Sequence, residues 1–487
     1  MAENILILGN GFDLAMGRKT SYGDFLKFAR HIKVLGCHIL QHYNAKDIQE
    51  AFSAFIDDID ELWEDHDETK RSEEEQNFYN KLKADQKFLL ISEHIFEKLA
   101  ILKDDCITLV ALNSFNNGAT KRYLLNQIRE ELKNGTSISN SLFNLDCVLE
   151  LTKSSENRNI EWLLELPNNL YINYIEKYKD KLGKNWSGIE LAISDIAEGV
   201  QIIKNNLDQI QKLFASKTET AFRNEDNYIA ILYIYNIMRQ QFKGQSRVVR
   251  SNVLDTINDK FLKALDDLTN YLEFYLTYLD KVDFEIQKIS PASTALDAIQ
   301  NIEKSKVITF NYTNTARKML DVTEDNTHFV HGKCSFERSD DDINTMVFGI
   351  EDKEAEAENI NQDLIPYQKF YQRVVKETGN FYEKFWGSSH NGGDFYTQST
   401  ALNIVVFGHS VDPLDKEIFK KCFELSEIKG WDYRFIFTYY NLDAKRAIVK
   451  NLAIILGKSE LVRLTGEERI KFVQSNNTEQ MRKELLN

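Results

Sequence analysis

Apolar positions follow two rhythms along the chain. Residues 4–8 (NILIL) form a short continuous apolar run that ends in Gly9-Asn10-Gly11. A run of that kind followed by glycine reads as a buried parallel strand and its loop. Thr20 and Ser21 then precede Tyr22, Phe25, Leu26, Phe28 and Ala29, the pattern of a capped amphipathic helix. From 37 to 290 the rhythm is helical. In 261–279, Phe261, Leu262, Leu265, Leu268, Leu272, Tyr275, Leu276 and Leu279 recur at intervals of three and four. Similar spacing occupies 78–103, 142–152, 187–214 and 227–241. The charged run 67–76 reads as a solvated linker or helix face, and 134–140 and 154–159 read as loops.

From about 291 short β-branched runs return, at 306–310, 327–331, 345–350, 402–407, 433–438 and 460–464. Helical stretches separate several of them, at 313–321, 365–385, 413–428 and 442–456. Alternating strands and helices imply a mostly parallel sheet covered on both faces. The strand at 4–8 has no partner nearby in sequence, so it is expected to join the C-terminal strands. The expected fold is therefore α/β, a Rossmann-like sheet built from both ends of the chain (1–36 and 291–487). A large helical insertion, 37–290, interrupts it.

Glycine placement fits this division. The 254 residues from 37 to 290 hold six Gly and one Pro, Pro167, whereas the other 233 hold 15 Gly and three Pro. With 43% hydrophobic residues the chain has ample material for a core. Its formal charge of −15 disfavours nonspecific binding to nucleic acid, although a local basic groove stays open. The five cysteines form no CxxC pair and no metal-ligand spacing, which suggests reduced thiols and a cytoplasmic location, and no metal is expected. The opening residues do not have the form of a signal peptide, and no apolar run is long enough to span a bilayer.

Four motifs carry polar groups to predicted strand ends. Gly9-Asn10-Gly11-Phe12-Asp13 opens a helix and offers backbone N–H groups suited to a pyrophosphate, but the full G-x-G-x-x-G pattern is absent because position 14 is Leu. Asp13 suits a ribose hydroxyl, a cation or a turn better than a phosphate. Phe310-Asn311-Tyr312-Thr313 follows a strand, where Asn311 can orient water or a sugar hydroxyl. His331, followed by Gly332, can act as a general base near neutral pH. Gly408-His409-Ser410-Val411-Asp412-Pro413 suits a ribose- or phosphate-facing loop, or simply a capped helix. Each motif alone reads equally well as a turn or a cap. In a parallel sheet their ends meet along one edge, which is the size of a nucleotide site.

Taken in order, these pieces resemble the AbiH family of bacterial proteins linked to abortive phage infection. The resemblance is carried by Gly9 to Ala15 with Thr20-Ser21-Tyr22, by Phe310-Asn311-Tyr312-Thr313, and by His331-Gly332. Phe348-Gly349 and Gly408-His409-Ser410 with Asp412 and Asp415 continue it. Trp186 with Glu190, and Tyr367-Gln368-Lys369-Phe370 to Gln372, resemble further family segments. More distantly the series is similar to sirtuin-like NAD-consuming proteins. That likeness implies Asn311 positioning water or ribose, His331 as general base, and Gly9, Gly11 and Ser410 holding a dinucleotide. The chain departs from it at Asn10 and Asp13, at the residues after Asn-Tyr, and in lacking the zinc-binding cysteine module.

The resemblance implies antiphage defence, with NAD glycohydrolase as the preferred activity. NAD or a related nucleotide would be the ligand, and Asp13, Asn311 and His331 the catalytic residues. Gly9, Asn10, Gly11, Phe12, Gly408, His409, Ser410 and Asp412 would bind it. Two alternatives stand beside this: a nucleotide sensor without catalysis, triggered by a phage or host protein, and a metal-dependent nuclease using Asp13, Glu190, Asp412 and Asp415. A homo-oligomer is compatible with any of them, and no membrane partner is expected.

Overall fold

In a computed structural model of the protein, the run at 4–8 is strand β1 (Glu3–Leu8), and it lies at the middle of a six-stranded sheet. The structure describes residues 3–33, 145–153, 157–182, 187–206, 228–241, 251–335, 338–339, 342–350, 362–386, 401–428 and 432–486. The other strands are β2 (Lys306–Thr309), β3 (Thr327–Phe329), β4 (Ala401–Phe407), β5 (Asp432–Tyr439) and β6 (Ile470–Gln474). All pairings are parallel, in the order β3-β2-β1-β4-β5-β6. This is the Rossmann order, and the direction of winding reverses between β1 and β4. The sheet thus joins the N-terminal strand to strands some 300 and 400 residues later, with Leu8 opposite Thr309 on one side and Phe407 on the other.

The first helices in chain order are α1 (Asn10–Ala15), α2 (Tyr22–Lys33), α3 (Leu145–Lys153), α4 (Ile160–Leu164) and α5 (Leu170–Leu182). They are followed by α6 (Ser187–Asn205), α7 (Tyr228–Gln241), α8 (Ser251–Asp280), α9 (Thr315–Leu320) and α10 (Lys369–Val375). The last four are α11 (Lys416–Ile428), α12 (Leu442–Leu456), α13 (Lys458–Gly466) and α14 (Thr478–Glu484). The chain divides into two compact units, Met1–Ser21 with Lys177–Asn487, and Tyr22–Glu176. The boundary falls inside α5, beside Tyr178, whose φ of −125° interrupts the helix. Of the expected insertion, the stretches 67–76, 78–103 and 134–140 lie outside the described residues. Helix α8 belongs to the unit that holds the sheet.

Alternation along the strands makes two cores, one on each face. Ile5, Ile7, Ile404, Val406, Phe435 and Phe437 face Phe419, Phe423, Ile448 and Leu452 of α11 and α12. Leu6, Leu8, Val405, Phe407 and Ile436 face Phe12, Ala316, Met319 and Met481. In the other unit, α2 buries Phe25, Leu26, Phe28 and Ile32, and Asn159 caps α4 through the Trp162 amide at 3.0 Å.

Three sequence expectations are corrected. Segment 345–350 is not a strand. Met346, Val347 and Phe348 are buried, but the Phe348 amide donates to Gln372 Oε1 at 2.8 Å and the Phe348 carbonyl accepts from Gln372 Nε2 at 3.0 Å. One side-chain amide takes the place of a neighbouring strand. Segment 460–464 lies in α13, and the sixth strand comes ten residues later. The stretch 365–385 is broken into a 3₁₀ turn (Ile365–Tyr367), α10 and a second 3₁₀ run (Phe381–Trp386). Pro366 and Gly379, at φ 65°, mark the breaks.

Candidate functional site

Parallel strands bring the carboxyl ends of β1, β2, β3 and β4 to one edge, where ligands bind in open sheets of this order. The loops after β1 and β4 pack on each other there. The Gly9 amide donates to Phe407 O at 3.0 Å, the Gly11 amide to Gly408 O at 2.8 Å, and the Phe12 amide to Gly9 O at 2.9 Å. A Cβ on Gly11 would lie 2.7 Å from the Gly408 Cα and carbonyl oxygen. Gly408 has φ +68°, and a Cβ there would meet Phe12 N at 2.2 Å. These glycines permit backbone to touch backbone at the switch point. Three amides expected to face a phosphate are hydrogen-bonded within the chain.

Behind this loop lies a buried polar network. Asp13 Oδ1 accepts from Asn311 Nδ2 at 2.9 Å, and Asp13 Oδ2 accepts from Thr313 Oγ1 at 2.5 Å. Asn311 Nδ2 also donates to Gly9 O at 3.0 Å, tying the β2 loop to the β1 loop. Thr313 and Thr315 hydroxyls are 2.9 Å apart, and Arg18 Nη1 donates to Thr315 Oγ1 at 2.6 Å. Donation runs from Arg18 through Thr315 and Thr313 to Asp13, the terminal acceptor. Arg18 also donates to Asp280 (2.5 Å), at the end of α8, and to Asp283 (2.8 Å), in the π-helical turn Lys281–Ile286. Burial pushes the Asp13 carboxyl above its ordinary range, an effect the Arg18 charge offsets in part. Burial opposes the Arg18 charge as well, but Asp280, Asp13 and Asp283 outweigh it.

A second cluster forms where β3 and β4 deliver their loops. Gly332 takes φ +74°, and a Cβ there would lie 1.9 Å from Thr345 O, so the turn after His331 requires glycine. His331 Nε2 lies 3.1 Å from Asp415 Oδ1, 84 residues away in sequence. A carboxylate only accepts, so Nε2 carries the proton and Nδ1 is left as a lone pair. That Nδ1 is buried and has no hydrogen-bond partner among the described residues. Phe310 packs edge-on against the imidazole at 5.4 Å. His409 Nδ1 accepts from the Val411 amide at 2.8 Å, so its Nε2–H points to Asp415 Oδ2 at 3.5 Å. Val411 holds φ 55°, rare for a β-branched residue, directly beside this contact.

Lys369 Nζ lies 3.2 Å from Asp415 Oδ1 and 2.9 Å from Glu190 Oε1, with its side chain 3% exposed. Burial opposes the Asp415 charge, but Lys369 and the two histidines outweigh it and hold the carboxyl well below the usual range. Burial, aided by the Lys369 charge, pushes His331 down to about 4, so the imidazole is neutral at pH 7. Glu190 is raised by burial, with Lys369 pulling the other way.

A family model described as bacteriophage abortive infection AbiH matches residues 5–438. The chain belongs to the AbiH family. Its family role is therefore in bacteriophage abortive infection. No curated protein and no solved structure matches it. In this AbiH-family chain the expected site residues fall into two groups. Gly9, Asp13 and Asn311 meet in the first network, Gly11 packs on Gly408 in the loop before it, and Asn10 accepts from Thr20 Oγ1 at 2.8 Å. His331 and His409 meet in the second. Phe12 is core, edge-on to Phe407 at 6.0 Å. Gly408 closes the loop, Ser410 is exposed, and Asp412 caps the turn at Pro413 by accepting from Leu414 N at 3.0 Å. Trp186 lies outside the described residues.

The sequence reading left Arg18 and Lys369 out of the AbiH site and named Glu190 only as a metal-binding carboxylate. Lys369 and Glu190 stand in family-like segments, but nothing local announces that α6, α10 and the β4 loop converge. The carboxylates named for a metal are already engaged, Asp13 by Asn311 and Thr313, Glu190 by Lys369, and Asp415 by Lys369 and two histidines. Among the described residues no group of three or more His, Cys, Asp or Glu is arranged to hold a metal ion, and no helix is long and apolar enough to cross a membrane.

Proposed function

We propose that the chain serves abortive infection as a hydrolase whose general base is His331, and that NAD or a related nucleotide is its substrate. The observation that carries this is the asymmetry of the His331 ring. One nitrogen is held by Asp415 at 3.1 Å, and the other is a buried lone pair without a partner among the described residues. An oriented, neutral imidazole at the carboxyl edge of a Rossmann sheet is equipped to take a proton from water. The distant sirtuin-like resemblance motivates NAD. In that reaction water adds to C1′ of the nicotinamide ribose, and the N-glycosidic electron pair leaves with neutral nicotinamide. His331 Nδ1 takes the water's proton, and the products are nicotinamide, ADP-ribose and one proton. In this reading Ser410 and the side chains of Asn10 and Asp412, rather than the G-N-G amides, meet the ribose.

A second reading, binding without turnover, is favoured by one observation. His331 Nδ1 has almost no accessible surface, so water reaches it only after neighbouring side chains shift. Incubating the purified chain with NAD, with and without phage lysate, and assaying nicotinamide separates the two. Release that falls about 10²–10⁴-fold in His331→Ala supports the hydrolase. Binding of NAD without release, lost in the same variant, supports the sensor. Neither release nor binding, with His331→Ala still protective in cells, sinks both.

A further inference from the structure

We propose that Lys369 and Glu190 form a positioning pair for the dyad: Lys369 fixes Asp415 as the acceptor of the His331 Nε2–H, and Glu190 fixes Lys369. It rests on His331 being the base of the site.

Three separate elements supply the pair and its target. Lys369 is the first residue of α10, Glu190 stands in the first turn of α6, and Asp415 ends the 3₁₀ turn Pro413–Asp415. Their polar atoms converge within 2.9 and 3.2 Å of one ammonium. Asp415 Oδ1 takes both this ammonium and His331 Nε2, while His409 holds Oδ2. The carboxylate is thus gripped from three sides and has little freedom to rotate away from His331. An ammonium with three donors and no acceptor suits this role, since it offers Asp415 nothing to donate to. Burying it between two carboxylates is costly unless the arrangement is retained for orientation or charge.

The charge of Lys369 also acts on the imidazole directly. The titratable and charged groups around His331 are Asp415, Lys369, Arg373, His328 and Tyr312, with His409 across the carboxylate. Of these, Lys369 and Arg373 disfavour protonation of the ring and Asp415 favours it. Removing the Lys369 charge therefore leaves the ring facing an anion without its counter-charge, and the imidazole accepts a proton more readily. His409 still faces Asp415 Oδ2 and keeps the carboxylate beside the ring, so the lost charge outweighs the looser hold; a lysine remote from the ring predicts no such change.

The test is a titration of His331 in the full chain labelled with ¹³Cε1 histidine, followed by NMR and assigned through His331→Gln. Lys369→Met should move the His331 midpoint up by about one pH unit or more. Lys369→Arg keeps the charge and should keep the midpoint low. Glu190→Gln leaves Lys369 with Asp415 alone and should move the midpoint down or leave it in place. This variant keeps the cation and serves if Lys369→Met does not fold. An unmoved midpoint in Lys369→Met, or an upward shift in Glu190→Gln, overturns the proposal. The outcome is separable from the substrate reading. If NAD is not hydrolysed and Lys369→Met still shifts His331, the pair stands and the substrate falls.

Discussion

Two buried polar networks lie at the carboxyl edge of the same sheet, and they are finished to different degrees. Around Asp13 both carboxylate oxygens accept from neighbours, and a run of donors leads back to Arg18 and two further aspartates. Around His331 the equivalent closure is missing, because Nδ1 has no hydrogen-bond partner among the described residues. A satisfied network of this kind rigidifies the structure, whereas an orphaned buried nitrogen costs about 1–3 kcal/mol and needs a reason to persist. In the proposed reading the contrast gives scaffold work to Asp13 and Asn311 and chemistry to His331, three residues that sequence alone would place side by side in one mechanism.

The largest effect expected is at Arg18. Arg18→Met leaves Asp280, Asp283 and Asp13 without their cation, and removing one partner of a buried ion pair costs about 3–5 kcal/mol. Urea unfolding should show a loss of that size. A loss under about 1 kcal/mol would break the contrast, because the first network would then hold nothing together.

The next effect is a pH dependence whose sign differs between the networks. Burial lowers His328 and His331 from 6.5 to about 4, so each stays neutral in the folded chain while the unfolded chain takes up a proton. Their contribution to stability is complete above about pH 6.5 and is lost as pH falls toward 4. Asp13, Asp280 and Asp283 are raised by burial, so their contribution is present below the unfolded carboxyl value and fades as pH rises through the folded one. Between pH 7 and 4.5, wild-type stability should fall. The fall should be smaller by about 2 kcal/mol in His331→Gln. Equal falls in the two proteins would show that His331 is not held neutral.

How far these contrasts were legible in the sequence depends on the range of the interaction. Strands β1, β2, β4 and β5 show as continuous apolar runs because both faces are covered. Strand β6 was missed because it pairs on one side only, and Ile470-Lys471-Phe472-Val473-Gln474 is short and partly polar. The helix mistaken for it carries Leu461 and Leu464 three apart. Its exposed side is laced by Arg463 to Glu460, Glu467 and Glu427. His331 was legible from its strand-end position and following glycine. Its partner was not, since 84 residues separate it from Asp415 and only the sheet order brings them together. Lys369 and Glu190 were harder still, because α10 buries Lys369 and Gln372 and leaves Phe370, Val374 and Val375 exposed, the reverse of what an apolar pattern implies.

A third prediction concerns the glycine loop. Gly11→Ala puts a Cβ 2.7 Å from backbone atoms of Gly408, which cannot move without opening the β1–β4 junction. Overpacking of this sort costs about 1–3 kcal/mol. Stability unchanged in Gly11→Ala, with nucleotide binding lost, would show the loop to be a ligand cradle rather than a packing device.

The smallest effect separates cap from ligand at Asp412. Its Oδ1 accepts from the Leu414 amide at 3.0 Å, with Pro413 at the first position of the turn. Removing such a cap costs about 1 kcal/mol, whereas Asn caps as well as Asp does. Asp412→Ala should therefore lose about that much in urea unfolding, and Asp412→Asn should recover it. Both substitutions remove the charge, and only Asp412→Asn keeps the cap. Loss of stability in Asp412→Asn equal to that in Asp412→Ala would mean the charge itself matters to the fold. Asp412 would then join the electrostatics of the His331 cluster, beside Glu190, whose charge it already disfavours. Full recovery would leave Asp412 as the fixed end of the loop that presents Asp415 to His331.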